Sequence, residues 1–317
     1  MRLRRPSNDH RIPAAANAAI VIAQLTALAA CFYCSSHVHH FWKMAGLALV
    51  FGVLMNSVYS IIHEAEHAML FPGRRINEGV GILMALFFPA PFHLLRQGHI
   101  GHHLRNRSDD EAFDLYFEGD NVVWKWTVWM GILTGLYYLL VVISNGIAIF
   151  APFILDRRSF KIDDHVKVDR ASAAFIKSFN PAYLRWIRLE ACAAIVLHVA
   201  IVWFFRIPIW NYLAMNGSFG FMWSAMQYVH HYGTERHVTR GARNLWIFGP
   251  LDAIWLNHNW HRAHHEHPTI PWIYLPALND AHAERRRFLP LTYLGMWRGP
   301  RRTEEHVENK YAGRIVQ

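Results

Sequence analysis

The chain has 317 residues, of which 53% are hydrophobic, and it carries a formal net charge of +9 at pH 7. Such a charge could serve a nucleic acid, but the lysines and arginines lie mostly at the ends of long apolar runs and accompany no recognisable nucleic-acid-binding module. We therefore expect no nucleic-acid partner and predict an integral membrane protein whose basic residues lie on the cytoplasmic side.

Two apolar runs open the chain. Residues 14–36 follow a basic N-terminal segment and are too long for the apolar part of a signal peptide, so we predict a retained first span. Residues 41–62 form the second span. Four arginines precede the first span and a single lysine lies between the two spans, which places the N-terminus in the cytoplasm. His37, His39 and His40, between the spans, should then lie on the opposite side of the membrane.

The middle of the chain is less regular. Residues 79–95 are apolar but broken by Pro89 and Pro91, which favours a re-entrant or interfacial helix pair. Residues 122–155 form one apolar run, interrupted near residues 144–146, and the sequence leaves open a tight hairpin or a segment that dips and returns. A polar cytoplasmic connection, residues 156–185, and two further spans, residues 186–205 and 207–229, complete the membrane part.

These elements predict an all-α protein, a polytopic bundle of about 4–6 transmembrane helices in a single membrane domain. Residues 1–13 would be its cytoplasmic N-terminus and residues 14–283 the membrane domain proper. Residues 284–317 would be a polar, basic tail on the cytoplasmic surface, with little fixed structure at its end. Three cysteines lie in apolar segments, where a packing role is expected; the CxxC at Cys31 and Cys34 lacks the context of a redox or zinc motif.

Histidine is concentrated in three motifs, HEAEH at 63–67, HIGHH at 99–103 and HRAHH at 261–265. Residues three and four apart share one face of a helix, so each motif can direct its imidazoles at a single point. The candidate ligands are His63, His67, His99, His102, His103, His261, His264 and His265.

This set is too large for one catalytic zinc, which takes about three protein ligands. It suits two metal ions. Imidazoles can bind zinc, copper, iron or nickel, but blue copper needs a cysteine ligand that no motif supplies. Two irons that activate dioxygen are the most economical interpretation. Strongly polar groups at a membrane are costly and usually functional, so a coincidence of three such motifs is not expected.

The three motifs, in this order and with apolar spans between them, resemble the histidine boxes HxxxH, HxxHH and HxxHH of the integral-membrane fatty acid desaturase and hydroxylase superfamily. The resemblance covers residues 40–275. It implies a cytoplasmic di-iron centre that uses dioxygen to oxidise an unactivated C–H bond of a lipid or fatty acyl substrate.

The superfamily also takes a further histidine from the region between the last span and the third box. In QYVHHYGTERH the candidate is His231, whose His-Tyr-Gly step resembles the extra ligand of the alkane hydroxylase branch. His230 and His237 are the alternatives.

Three more residues could orient the ligands. His258 shares a face with the third box if that helix extends backwards, and Asn106 or Asp109 could accept a hydrogen bond from a ligand imidazole. The acidic residues after the second box could equally serve as helix-end charges and salt-bridge partners of Arg105 and Arg107.

Both branches of the superfamily share the boxes. Removal of two hydrogens from neighbouring carbons gives a double bond, whereas removal of one with oxygen rebound gives an alcohol. The continuation of the third box into HPTIPW favours fatty acyl desaturation, our leading interpretation. The His-Tyr-Gly step favours the alternative, a hydroxylase or other tailoring enzyme that acts on alkanes, fatty acids or specialised lipids.

A histidine-rich metal-binding protein or transporter is a further alternative, although a transporter should hold its ligands near the middle of the membrane. The chain has no HPGG cytochrome motif, no paired CxxC motifs of a rubredoxin and no Gly-rich nucleotide fingerprint. We therefore expect a separate electron donor such as a ferredoxin, a rubredoxin or a reductase.

Overall fold

The computed structural model describes residues 10–155, 170–278 and 285–316, and helices dominate these ranges. The α-helices are α1 (Ala14–His37), α2 (Phe41–Glu66), α3 (Arg74–Phe87), α4 (Phe92–Arg105), α5 (Val122–Thr134), α6 (Leu136–Phe150), α7 (Arg170–Ser178), α8 (Leu184–Phe205), α9 (Ile209–Val229), α10 (Gly249–Ile254), α11 (His261–Glu266) and α12 (Leu289–Met296). Short 3₁₀ helices occupy Pro152–Leu155, Pro181–Tyr183 and Trp272–Leu278. The predicted all-α class is confirmed.

The only strands among the described residues are two-residue pairs. Strand β1 (Leu115–Tyr116) pairs in parallel with β4 (Arg301–Arg302), and β2 (Leu245–Trp246) pairs in parallel with β3 (Arg287–Phe288). Each pair ties the C-terminal part of the chain to a loop that neighbours a histidine motif.

Three helical segments in the described ranges are long and apolar enough to cross a membrane: α1, α2 and Pro181–Phe205, which contains α8. The number rises to five if each of two bent helix pairs counts as one span. Large apolar side chains such as Trp203, Phe204 and Trp210 are exposed on the bundle, as expected of a surface that faces lipid. The chain is an integral membrane protein.

Helix α9 coincides with the last predicted span but does not reach the apolarity of the other three. It carries polar residues whose side chains bond to nearby carbonyls: Asn211 donates to the carbonyls of Ser35 and Val38, at the end of α1. The helix packs most extensively along α2, so its polar groups are satisfied within the protein rather than by lipid.

The first bent pair, α3 and α4, turns by 101° across residues 88–91, so the break predicted at the two prolines is confirmed. The carbonyls that this break leaves without a partner in their own helix accept hydrogen bonds from side chains of other helices. Asn145 of α6 donates to the carbonyl of Pro89 at 2.7 Å, and Nε2 of His198 on α8 donates to that of Leu86 at 3.0 Å. Irregular backbone within a membrane protein requires such internal partners.

The second bent pair, α5 and α6, turns by 95° at Gly135, and the predicted interruption at residues 144–146 is wrong. Gly135 has φ +91°, and a Cβ there would lie 2.8 Å from Cα of Phe221, so only glycine allows this close turn. Ser144 and Asn145 remain inside α6 because their side chains bond back to the carbonyls of Val141 and Val142.

The C-terminal tail also differs from the prediction of little fixed structure. It carries α12 and strands β3 and β4, and its last described residues are bonded to the body of the protein: Val307 accepts a hydrogen bond from the amide of Asp109, and the amide of Val316 donates to Ser178. Backbone pairing anchors this otherwise polar segment.

Parts of some predictions fall outside the described residues. These are the N-terminal segment up to residue 9, residues 156–169 of the predicted cytoplasmic connection, and residues 279–284 at the start of the predicted tail.

The apolar core lies between α1, α2, α3 and α9, and it includes Leu28, Phe51, Val58, Phe88 and Phe219. It also includes Ile62 at the end of α2 and Phe92 at the start of α4, the two helices that carry the first two histidine motifs. His40 precedes α2 and His63 lies in its last turn, so a rise of 1.5 Å per residue separates them by about 35 Å. The histidines between α1 and α2 are therefore remote from the three motifs.

Candidate metal centre

The first histidine motif forms the end of α2. His63 lies in the last turn and His67 caps the helix, and both residues are more than nine-tenths buried. The amide of His67 bonds to the carbonyl of His63, and Ala68 follows with φ +60°, so the chain turns away directly after the second ligand. The spacing of four residues places both imidazoles on the same side of α2.

The second and third motifs lie on α4 and α11. Helix α11 has only six residues, and a distant side chain supports its start: Oδ1 of Asn244 accepts hydrogen bonds from the amides of Arg262 and Ala263. This contact supplies the N-cap that the local sequence lacks.

The nine predicted ligands gather into two groups in which the candidate ligand atoms all lie within 4.8 Å of one another. The first group contains His63, His67, His99, His103 and His264, and the second contains His102, His231, His261 and His265. No cysteine or carboxylate of the described residues joins either group.

Each HxxHH motif is divided between the two groups, which corrects the prediction that a motif directs all its imidazoles at one point. His99 and His103 belong to the first group and His102 to the second. In the third motif the division is reversed, with His264 in the first group. A helix advances 100° per residue, so positions i and i+4 differ by about 40° while i+3 lies about 60° to the other side. Histidines at positions i, i+3 and i+4 of one helix can therefore face two different metal positions.

The ring nitrogens within each group lie close together. In the first group Nε2 of His99 is 2.7 Å from Nε2 of His67 and 3.1 Å from Nε2 of His103, which is 3.0 Å from Nε2 of His264. In the second group the Nε2 atoms of His102 and His265 are 3.3 Å apart, and those of His231 and His261 are 3.1 Å apart.

These separations fit a shared cation. A metal–nitrogen bond of about 2.1 Å places adjacent nitrogens about 3.0 Å apart in octahedral geometry and about 3.4 Å apart in tetrahedral geometry. A neutral imidazole nitrogen either donates or accepts, so four Nε2 atoms in a row cannot all be well satisfied by each other. Nε2 of His63 is buried and has no hydrogen-bond partner among the described residues. The donor set therefore fits a metal.

The electrostatic environment favours the neutral form, which is the form that binds metal, for four of the imidazoles that follow α9. Burial, together with the neighbouring imidazoles, lowers the pKa of His231, His261, His264 and His265 well below the usual value for histidine. All four side chains are buried in the same cluster, so their preference for the neutral form has a shared cause.

Two imidazoles of the second group are oriented by hydrogen bonds. Nδ1 of His102 donates to Oε1 of Glu111 at 3.0 Å, and Nδ1 of His231 donates to the carbonyl of Gly241 at 2.8 Å. Burial raises the pKa of Glu111, but His102 and Arg105 outweigh it and hold that pKa below its usual range. Such partners fix the ring orientation and direct Nε2 towards a metal.

The residues predicted to orient ligands have different roles. His258 joins neither group, but its ring centroid lies 4.9 Å from that of His63 and 5.2 Å from that of His261, so it packs between the groups. Asn106 donates to the carbonyl of Gly241 and thus supports the acceptor of His231. Asp109 instead binds Arg236 and His306, away from the imidazoles.

The two alternatives to His231 lie elsewhere. His230 is buried beside His261, and its Nε2 lies 3.2 Å from Oδ1 of Asn259, outside the second group. His237 is exposed, and its Nδ1 faces Thr239.

Sequence reasoning missed three supports of the site: Glu111 as the partner of His102, the Gly241 carbonyl and the Asn244 cap. Among the acidic residues after the second box the sequence favours Asp109 rather than Glu111 as an acceptor; the salt bridge that it predicts with Arg105 is made by Glu111. Its distance of nine residues from His102 corresponds to no helical spacing, so only the loop geometry brings the two together.

Nine imidazoles in two groups, six of them buried and three partly buried, define a membrane protein with a histidine-rich metal centre beside its apolar helices. The fatty acid desaturase family matches residues 40–300, and the chain belongs to this family. No curated protein matches the chain. Family membership supports lipid oxidation of the desaturase or hydroxylase type in a membrane.

Proposed function

We propose that the protein is a di-iron enzyme that uses dioxygen to oxidise an unactivated C–H bond of a lipid chain, and that its reaction is fatty acyl desaturation. The observation that carries this proposal is the pair of all-imidazole groups at the end of an apolar helix bundle. The family match supports the reaction class.

Iron is the metal that accounts best for the donor set. A catalytic zinc site uses about three protein ligands and one open position, whereas here nine imidazoles divide into sets of five and four. His63, His67, His99, His103 and His264 would hold one iron, and His102, His231, His261 and His265 the other. When bound, the two irons would supply the oxygen activation needed to attack an unactivated C–H bond.

Aromatic residues pack beside the site. Tyr59 packs against Phe88 and Trp223, with ring centroids 5.5 and 5.7 Å apart, and its ring also contacts His258. These aromatic side chains exclude water next to the imidazoles. The position of the substrate carbons relative to the imidazole groups would decide which hydrogen is removed.

The reaction needs electrons from another protein. We propose a ferredoxin, a rubredoxin or a similar donor, because the sequence carries none of the redox motifs of a fused donor domain. The arginines before the first span favour a cytoplasmic N-terminus, and the metal centre and the C-terminus would then share that side with the donor.

Hydroxylation is the second candidate, and one observation favours it. His231, from the His-Tyr-Gly step that resembles the alkane hydroxylase branch, lies in the second group with its Nε2 3.1 Å from that of His261. A metal transporter is less well supported because the imidazoles gather at helix ends and in adjoining loops.

Lipid analysis tests the reaction. Cells that express the wild type are compared with cells that express His264→Ala, and total lipids are analysed by mass. Desaturation gives products that have lost two hydrogens, whereas hydroxylation gives products that have gained one oxygen. A new product with one added oxygen and no unsaturated product would replace desaturation by the alternative.

Metal analysis of the purified wild type tests the cofactor separately. We expect two irons per chain. Zinc alone in active protein, or full activity with one iron, would contradict the di-iron assignment.

A further inference from the structure

Three residues outside the metal groups form a buried polar hub: Arg107, Asp114 and Tyr228. Arg107 and Asp114 are 1% and 0% exposed, and Tyr228 is 3% exposed. Nη1 of Arg107 donates to Oδ1 of Asp114 and, at 2.6 Å, to the hydroxyl of Tyr228, which itself donates to Oδ1 of Asp114 at 2.9 Å. Burying this ion pair has a desolvation cost that only close contacts of this kind can offset.

The hub holds the start of the loop that follows His231. Oδ2 of Asp114 accepts from the amide of Gly233 at 2.8 Å, and Nη2 of Arg107 donates to the carbonyl of Thr234 at 2.9 Å. Thr234 returns to the ligand residue, since both its amide and its hydroxyl donate to the carbonyl of His231, at 3.2 and 2.8 Å.

The hub also holds the far end of the same loop. Gly241, whose carbonyl accepts from Nδ1 of His231, packs so tightly against Arg107 that a Cβ there would lie 2.4 Å from Cγ of the arginine. Asn106, the preceding residue, donates to this carbonyl at 3.2 Å. The hub and its neighbour thus control both the backbone and the ring of His231.

The backbone of Arg107 supports this interpretation. It has φ +61°, a left-handed conformation that is unfavourable for a non-glycine residue. The side chain compensates for this strain through its three hydrogen-bonded contacts. Burial lowers the pKa of Arg107, but Tyr228 and Asp114 outweigh this effect and raise it, so the guanidinium remains charged.

We propose that the hub of Arg107, Asp114 and Tyr228 positions His231 and thereby determines whether the second imidazole group can bind its metal. The proposal rests on the proposed metal-binding function. His231 is the single member of the second group that comes from no histidine box, and it needs this support because no regular helix carries it. The first group has no ligand in this loop and should be unaffected.

The test compares Asp114→Asn with Glu190→Gln. Asp114→Asn keeps the shape of the side chain but leaves the charge of Arg107 unpaired. Glu190→Gln disrupts a comparable buried pair, in which Oε1 of Glu190 lies 2.5 Å from Nδ1 of His93 and neither residue belongs to a metal group. Ferrous iron is titrated into metal-free, full-length protein in detergent, and the bound metal is counted per folded chain.

At the free iron concentration that just fills both groups of the wild type, we expect about two irons in the wild type and in Glu190→Gln but about one in Asp114→Asn. The second metal should bind 10- to 100-fold more weakly, the usual effect of losing a partner that orients a ligand. Mössbauer spectra of ⁵⁷Fe-loaded protein should show two iron environments in the wild type and only the first in Asp114→Asn. Tyr228→Phe, which removes one hydroxyl, should weaken the second metal in the same direction but less.

Two irons bound with wild-type affinity by both hub variants would overturn the proposal and leave the di-iron function intact. Equal loss of both metals in Asp114→Asn and Glu190→Gln would also overturn it, because the hub would then stabilise the fold without acting on His231. A wild type that binds fewer than two metals would refute the di-iron function itself, and the hub proposal with it.

Discussion

The two imidazole groups are built in different ways. The first takes every ligand from a helix or its cap: His63 and His67 at the end of α2, His99 and His103 on α4, and His264 on α11. The second combines three box histidines with His231, which lies just beyond α9. Helices or their caps therefore position every ligand of the first group, whereas the second group takes one ligand from the loop that follows α9.

A histidine of the first group should be essential for activity, whereas a histidine at the opposite end of α2 should not be. His264→Ala removes one of five imidazoles and opens a coordination position, so we expect product formation to fall below detection while the protein remains inserted. His39→Ala should retain wild-type product levels, because the residue lies at the far end of a helix that spans about 35 Å between His40 and His63. Product yield per inserted protein measures both, and equal losses would contradict this placement.

The sequence could predict the parts of the molecule that a long apolar run or a fixed spacing of histidines determines. The long apolar runs gave α1, α2 and α8 within a few residues, and the three boxes supplied eight of the nine clustered imidazoles. The ninth, His231, came from a resemblance, since no spacing links it to the others.

The errors share a physical cause, which is dependence on distant parts of the chain. The turn at Gly135 is required by the approach of α9 at Phe221, and no local signal distinguishes it from the more polar Ser144 and Asn145. The order of the C-terminal tail depends in the same way on pairing between strands that are far apart in sequence, such as β1 and β4.

The second group can be tested through two adjacent residues. His231→Ala should lose one iron and at least about a hundredfold in turnover, since it removes one of the four imidazoles of the second group. His230→Ala should keep both irons, because its ring faces Asn259 instead. Iron content and turnover of the two variants check this prediction. Iron loss in His230→Ala with iron retention in His231→Ala would show that the assignment is wrong by one residue.

The sequence favours Asp109 as the carboxylate that orients a ligand imidazole, whereas in the structure Glu111 accepts from His102. Glu111→Gln weakens the acceptor of His102 and should reduce metal affinity in the second group by about 10- to 100-fold. Asp109→Asn should leave metal affinity unchanged, because Asp109 binds Arg236 and the tail rather than a ligand imidazole. Metal titration of both variants decides between them, and a larger effect at Asp109 would restore the prediction made from sequence.

The smallest effect should come from the remote cap of α11. Asn244→Ala leaves the amides of Arg262 and Ala263 without their acceptor, and loss of a cap costs about 1 kcal/mol. Thermal unfolding of the metal-free protein in detergent should show this decrease in stability. Asn244→Asp should recover most of it, since aspartate caps helices as well as asparagine does. If aspartate and alanine destabilise the protein equally, other contacts of Asn244 outweigh the cap, and the short third-box helix is held by its packing against the 3₁₀ helix at Trp272–Leu278.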